Sequence, residues 1–472
     1  MRLVMKILLS LALLLVSIVA PFYSEEYLRG RWAWERHVRD LAARGISLDI
    51  KKLIPPPVPD AENVAAAPIF AELFATNLPG EARLKAMKMP TVKRSGDADW
   101  RAGLHQDLNV WRKAFTNDNL LAALERYAPE LKEMEAALQR PKVCFPVEYE
   151  KGYDALFPQA TAVLYVGRIY NAKILAEVET GQMAAAFRDL KTMLRLGELI
   201  KDEPSVIVML VRVALYHLPM QSLWDGLVAH AWTDEQLADL QRNLEQVDML
   251  AHLEISWTAE RGMNVWLLQT CLKDPRGISV LCFNDSPSSP PLIALWPRGW
   301  FYQNALRVDA MYDAKIMRAV NARAARISPL LVDSADKQIS KLPCNVFNVG
   351  VRILLPVVKG TSSKVAAGQT YVSEAAVACA LERYWLQHRR YPAALAELVP
   401  QFLAAVPHDV VDGQPLRYRL DGEGGFVLYS IGWDLIDDGG TIAWKKTDTS
   451  TDRPKLDLEK GDWVWRSRPV AH

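Results

Sequence analysis

The spacing of apolar residues changes character along this chain, and the changes divide it. Ile7 to Tyr23 is a continuous apolar run in which Ser10 and Ser17 are the polar positions. Glu25 to Arg44 keeps a helical pattern with Tyr27, Trp32, Trp34 and His37 among charges, and Gly45 stands where a C-cap is expected. Leu53 to Pro59, with four prolines, predicts a stiff extended spacer. From Asp60 to about Ala325 the 3.6-residue period dominates. Leu120, Leu121, Leu124, Tyr127 and Leu131 mark one helical stretch, with Pro129 a predicted kink. Val163, Val166, Ile169 and Tyr170, then Phe187, Leu190, Met193 and Leu194, mark two helices broken at Thr180-Gly181. Val206 to Leu218 is apolar on most sides, and Thr233 with Gln236 has the spacing of a capping box.

After Lys341-Leu342-Pro343 a second part begins. Thr361 to Gln387 predicts a long helix, which Tyr391-Pro392 must end. A short helix is expected over Ala393 to Leu398. The period then drops to two: Leu416, Tyr418 and Leu420, and Phe426, Leu428 and Ser430, flank Asp421-Gly-Glu-Gly-Gly425, which predicts a hairpin. Thr441 to Lys445 reads as a strand, Lys446 to Lys460 as a charged loop, and Asp462 to Arg466 as a closing strand. The expected fold is mainly α with a C-terminal α+β domain: an N-terminal membrane helix (1–23), a juxtamembrane helix and spacer (24–59), an irregular helical bundle or solenoid (60–343), and a long helix packed on a small antiparallel sheet (344–472).

The order R-Y-P-x-x-L-x-x-L-V-P, V-P-x-D, D-G-Q-P-L-x-Y and F-V-L-Y-S-x-G-x-D, all between Arg390 and Asp434, resembles the globular part of the major pseudopilin of type II secretion. The chain is also similar to an uncharacterised family of bacterial membrane-anchored proteins with this ending, to which I-P-P-P-V-P-D and Ala66-Ala67-Pro68-Ile69-Phe70 correspond in part. The resemblance implies export and an envelope setting. A departure is that pilin subunits carry a glutamate inside the apolar segment that follows their processed leader, whereas Ile7 to Tyr23 has no acidic residue, and more than 300 residues separate it from the helix at Ala376.

Composition narrows the partners. Lys and Arg number 56 against 55 Asp and Glu in 472 residues, which argues against nucleic acid. Arg2 and Lys6 ahead of an apolar run of about 17 residues favour an uncleaved signal anchor in the inner membrane over a cleaved signal peptide or a buried helix. Its bulk is expected on the periplasmic side, although Arg29, Arg31, Arg36, Arg39 and Arg44 count for the opposite orientation. Of the five cysteines, Cys271 and Cys282 are close enough in sequence for a bridge, and buried free thiols are the other option.

Candidate chemistry is sparse. No zincin, nucleophile-elbow, Walker or dinucleotide motif occurs. His217 and His230 read as core or boundary residues, Glu260-Arg261 as an ion pair or exposed charges, and Trp296/Trp300 and Trp463/Trp465 as packing or a sugar platform. Ser334-Ala-Asp-Lys337 matches S-x-x-K, without a following K-T-G. Oxygen ligands gather at Asp434, Asp437 and Asp438, before Gly439-Gly440. Three carboxylates so close repel one another unless solvated or neutralised, and the site offers no nitrogen or sulfur, so a structural calcium is expected there, or else a solvated turn. The matching region of the pseudopilin binds calcium, which the resemblance extends to these residues. The function expected is a membrane-anchored envelope scaffold with an envelope protein partner, tied to a secretion or pilus-like system. The competing class is an exported hydrolase or carbohydrate-binding protein with a site between the helical and C-terminal domains.

Overall fold

A computed structural model describes residues 2–74, 79–90, 108–273, 295–445 and 455–468. It is mostly helical, with a small antiparallel sheet region near the C-terminus. Cys282 and residues Phe283 to Pro291, whose Asn-Asp-Ser-Pro-Ser-Ser-Pro-Pro composition predicts a loop, lie outside the described residues.

The first helix, α1 (Arg2–Ala43), is unbroken over 42 residues and contains Pro21. It carries the apolar run and the tryptophan-bearing segment on one axis of about 63 Å, at 1.5 Å per residue. Gly45, at φ 73°, ends it in both bonds of a Schellman cap: Gly45 N–H donates to Ala42 at 3.0 Å and Ile46 N–H to Leu41 at 2.9 Å. The proline spacer lies on the body. Cys144 Sγ reaches Pro55 O at 3.6 Å, and Asn63 exchanges side-chain bonds with the Cys144 backbone at 2.9 and 3.1 Å.

Short helices follow: α2 (Pro68–Ala71), α3 (Pro79–Met87), α4 (Leu108–Phe115), α5 (Leu120–Leu124) and α6 (Ala128–Ala137). Pro129 kinks nothing, because it stands in the first turn of α6, where its missing N–H has no intrahelical partner to lose. The helices α7 (Pro158–Glu179) and α8 (Met183–Leu199) form the predicted pair around Thr180-Gly181. Next come α9 (Val206–His217) and α10 (Met220–Val228). Among the described residues Val206–Val228 is long and apolar enough to cross a membrane, but 61% of it is buried inside the fold, as a core element is. Then α11 (Asp234–Glu245) opens with the expected capping box: Gln236 N–H donates to Thr233 Oγ1 at 3.2 Å, and Thr233 N–H to Gln236 Oε1 at 3.0 Å.

After α12 (Met249–Thr270) and α13 (Gly299–Met311), a π-helical turn at Tyr312–Ile316 leads through α14 (Met317–Ala319) to the small pair β1 (Val320–Asn321) and β2 (Arg326–Ile327). Then α15 (Pro329–Lys341), α16 (Val349–Leu354) and α17 (Val357–His388) precede the sheet. The short helix expected over Ala393 to Leu398 narrows to a 3-10 turn at Leu395–Leu398.

The predicted hairpin is present as β3 (Arg417–Leu420) and β4 (Phe426–Ser430), with Tyr418 opposite Leu428. Strand β4 is central, because β7 (Trp463–Arg466) pairs along its other edge, Ser430 opposite Trp463. Alternation sorts its side chains. Phe426 and Leu428, with Trp463 and Trp465, join the main core against α17, whereas Val427, Tyr429 and Val464 pack with Ile442 on the other face. That second face is covered by β5 (Ile442–Lys445), whose partner is β6 (Lys455–Gly461). The charged loop expected over Lys446 to Lys460 therefore includes a strand.

Helix α17 is the spine. It is buried on nearly every side, packing against α9, α11, α12 and α15 on the helical side and against β7 on the other. Buried apolar side chains from Trp34 to Trp465 form one connected cluster, so residues on both sides of Leu342 share a core.

Candidate functional site

Two groups of buried polar contacts, around Glu26 and around Asp309, tie distant parts of the sequence together where α1 lies across α13. The crossing is tight because two glycines meet. A Cβ on Gly30 would stand 2.4 Å from Gly299 O, and one on Gly299 would stand 1.9 Å from Glu26 O. Neither position admits a side chain without moving backbone. Glu26, 8% exposed, accepts from Arg29 at 2.6 and 2.7 Å, Trp300 Nε1 at 3.0 Å and Gln303 Nε2 at 3.1 Å. Burial pushes its carboxyl up, but these donors and the Arg29 charge outweigh it, and the net shift is downward.

Further along α1, His37 Nε2 lies 2.5 Å from Asp309 Oδ2. The same carboxylate takes Arg261 bidentately, Nε to Oδ1 at 2.6 Å and Nη2 to Oδ2 at 2.8 Å. Asp309 is wholly buried and Arg261 nearly so. Asp313, in the π-helical turn, accepts from Arg44 at 2.8 Å and lies 3.7 Å from Arg261. Its carboxyl is held below the usual range: burial opposes this, but Arg44 and Arg261 prevail. Beside them, Asn264 Nδ2 donates to Tyr312 Oη at 3.0 Å, and the Tyr153 hydroxyl reaches Glu260 Oε1 at 2.9 Å. Burial raises the Glu260 carboxyl.

A buried charge is tolerated when an opposite charge and hydrogen bonds compensate it. Here each acid meets a partner from another element: His37 and Arg44 come from the end of α1, Arg261 from α12, Asp309 from α13. The arrangement suits a clamp fixing α1 to the body. Of the Glu260-Arg261 dipeptide, Arg261 supplies one side of it in an ion pair, as sequence suggested, while Glu260 accepts from Tyr153.

At the acidic loop, the carboxylates of Asp434 and Asp437 are engaged by backbone. Asp434 accepts from Ile436 N–H at 3.2 Å and Gly461 N–H at 3.2 Å, and Asp437 from Gly439 N–H at 3.0 Å. Asp438 presents its backbone: its N–H goes to Asp462 Oδ1 at 3.3 Å. The organiser is Asp462, 1% exposed, which also takes Gly440 N–H at 2.6 Å and Thr441 N–H at 3.2 Å. Among the described residues no three acid, histidine or cysteine side chains converge as metal ligands. A calcium ion held by Asp434 and Asp437 or Asp438 would have to compete with these N–H groups for the oxygens of Asp434 and Asp437.

The remaining candidates separate. Ser334 Oγ accepts from Lys315 Nζ at 2.6 Å, and Lys337 is exposed. His230, half-exposed, stacks on Trp385 at 3.5 Å with 4° between the rings, and its Nδ1 lies 2.6 Å from buried Glu382. The His217 ring lies 6.3 Å from Tyr371. Trp463 and Trp465 are core residues, 1% exposed each. Cys144, Cys344 and Cys379 form no disulfide, and Cys271 is buried.

Sequence reasoning missed Asp309, Asp462 and Asp409. Asp409, fully buried, accepts from Val411 N–H at 3.1 Å, Ser430 Oγ at 2.9 Å and Ile431 N–H at 3.1 Å. The V-P-H-D stretch that contains it was the available signal. The chain matches no family model, no curated protein and no solved structure.

Proposed function

We propose that this chain is a single-span scaffold of the bacterial envelope, anchored by the first half of α1 with its bulk on the outer side of the inner membrane, where it holds a protein partner. The observation that carries this is the contrast within one helix. Leu13, Leu14, Leu15, Val16 and Ile18 are 58 to 63% exposed, while from Glu26 onward the same helix is clamped to the body. Fully burying such side chains stabilises by about 1.5–3 kcal/mol each. A bilayer would recover that energy, which water does not. The association with a secretion or pilus-like system rests on the sequence resemblance of the C-terminal part.

The hydrolase alternative is favoured by one contact, Ser334 with Lys315, a nucleophile and an amine within hydrogen-bond reach. Against it, Ser334 stands inside α15 (Pro329–Lys341), where backbone N–H groups are committed to the helix. An oxyanion hole needs free donors beside the nucleophile. Crosslinking in cells, followed by capture of the full chain from envelope extract, tests the scaffold. A stoichiometric envelope protein, retained in a Ser334→Ala variant, is the expected result. Covalent labelling of Ser334 by an acylating probe, with no protein co-purifying, would overturn it.

A further inference from the structure

The entry into α13 joins the end of the apolar run. The Tyr23 hydroxyl donates to the Leu295 carbonyl, 272 residues on. The Phe22 ring meets Trp300 edge-on, centroids 6.5 Å apart, and Trp300 in turn meets Trp296 at 5.8 Å and Phe347 at 5.4 Å. Trp300 Nε1–H points inward to Glu26. Leu295 is 63% exposed, Phe22 45% and Tyr23 37%, with Trp296 and Trp300 half-buried. The two indoles stand 66° apart, so they offer no flat platform for a sugar ring. They continue the exposed apolar surface of α1 sideways, at the level where its apolar run stops.

We infer that Leu295, Trp296 and Trp300, with Phe22 and Tyr23, form a second membrane-contacting element that seats the body on the headgroup layer beside the anchor. The inference rests on the anchoring proposed above. Tyrosine and tryptophan rings partition to that layer, and with the Tyr23 O–H and Trp300 N–H satisfied inside the protein, the ring surfaces make the contact at no polar cost. Exposed Arg298, between the two tryptophans, adds a cation where lipid phosphates would lie. The glycine crossing and the Glu26 bonds hold α13 against α1, so the patch is carried at a fixed height relative to the anchor.

The test uses the full chain in vesicles of phosphatidylethanolamine and phosphatidylglycerol. A genetically encoded environment-sensitive fluorescent amino acid replaces Leu295 in one sample and Glu423 in another. Glu423, 82% exposed, belongs to the hairpin turn near Tyr391, at the far end of α17. The near end of α17 follows α16, which packs on α13. The 32 residues of α17 span about 48 Å. With headgroup-borne nitroxide, loss of fluorescence at 295 but not at 423 is expected, in chains that float with the vesicles. Chains that float with neither position quenched overturn the seating element and leave the anchor standing, and quenching at both indicates general adsorption and overturns it too. Chains that fail to float overturn the anchor, and the inference with it.

Discussion

His37 and Asp309 lie 2.5 Å apart although 272 residues separate them, and the carboxylate between His37 and Arg261 is one of the contacts that fix the N-terminal helix to the body. Removing it leaves Arg261 buried without its bidentate partner. Asp309→Ala should therefore cost about 3–5 kcal/mol, read as a lower urea midpoint of the full chain in mild detergent. His37→Ala should cost less, since His37 sits at the solvent rim, 18% exposed. Equal losses would mean that the buried arginine is not the main debtor.

The glycine crossing gives a steric prediction. Gly299→Val must displace the Glu26 backbone, 1.9 Å from any Cβ. Overpacking of this kind costs about 1–3 kcal/mol, and α1 should become cleavable by trypsin at Arg29, Arg31 and Arg36. A variant that resists trypsin like the parent would show that α1 is not held there.

Stability should depend on pH in a stated direction. Burial raises Glu203 to about 7 from 4.5, and burial with the nearby Asp189 charge raises Glu177 to about 7. Burial lowers His252 to about 4 from 6.5. The folded chain binds more protons than the unfolded at the two acids, so each stabilises below pH 4.5 and loses that contribution as pH rises to 7. His252 acts oppositely, adding stability from pH 4 to 6.5. The terms partly cancel up to 6.5, and above it the acids alone act until about pH 8. The urea midpoint should fall over that interval, and Glu203→Gln should flatten the fall. A midpoint rising from pH 6.5 to 8 would contradict the assignment.

At the acidic loop, Asp462→Ala removes the acceptor of three backbone donors, of which the buried Gly440 N–H, left unpaired, costs about 1–3 kcal/mol. It should cost more than Asp434→Ala. If calcium also binds there, as proposed from Asp434, Asp437 and Asp438, saturation at a hundred times Kd adds about 2.7 kcal/mol. That gain must vanish in an Asp434→Ala, Asp437→Ala variant. A midpoint indifferent to calcium leaves the hydrogen-bonded turn centred on Asp462 as the whole account.

Features decided within a few residues were legible in the sequence. The Gly45 cap, the Thr233–Gln236 box and the hairpin around Gly424 depend on local conformation and alternation. Strand β6 carried the same signal, Leu456 and Leu458 alternating with charges, but high charge made it read as a loop. The clamp was illegible for a different reason: nothing near His37, Arg261 or Asp309 signals the other two, because tertiary packing alone brings them together. Asp462 is likewise one acid before a strand until the fold turns Gly440 and Thr441 toward it.

The most direct test of the account is fractionation of the full chain. Membranes are washed with alkaline carbonate, and the N-terminal residue of the recovered protein is determined. The parent chain should stay in the pellet with the apolar run Ile7 to Tyr23 retained. A Leu13→Asp, Leu14→Asp variant should be released, since each charge at the centre of a span costs about 3 kcal/mol. A parent chain recovered in the supernatant with its first twenty or so residues removed would contradict the anchor and the scaffold built on it.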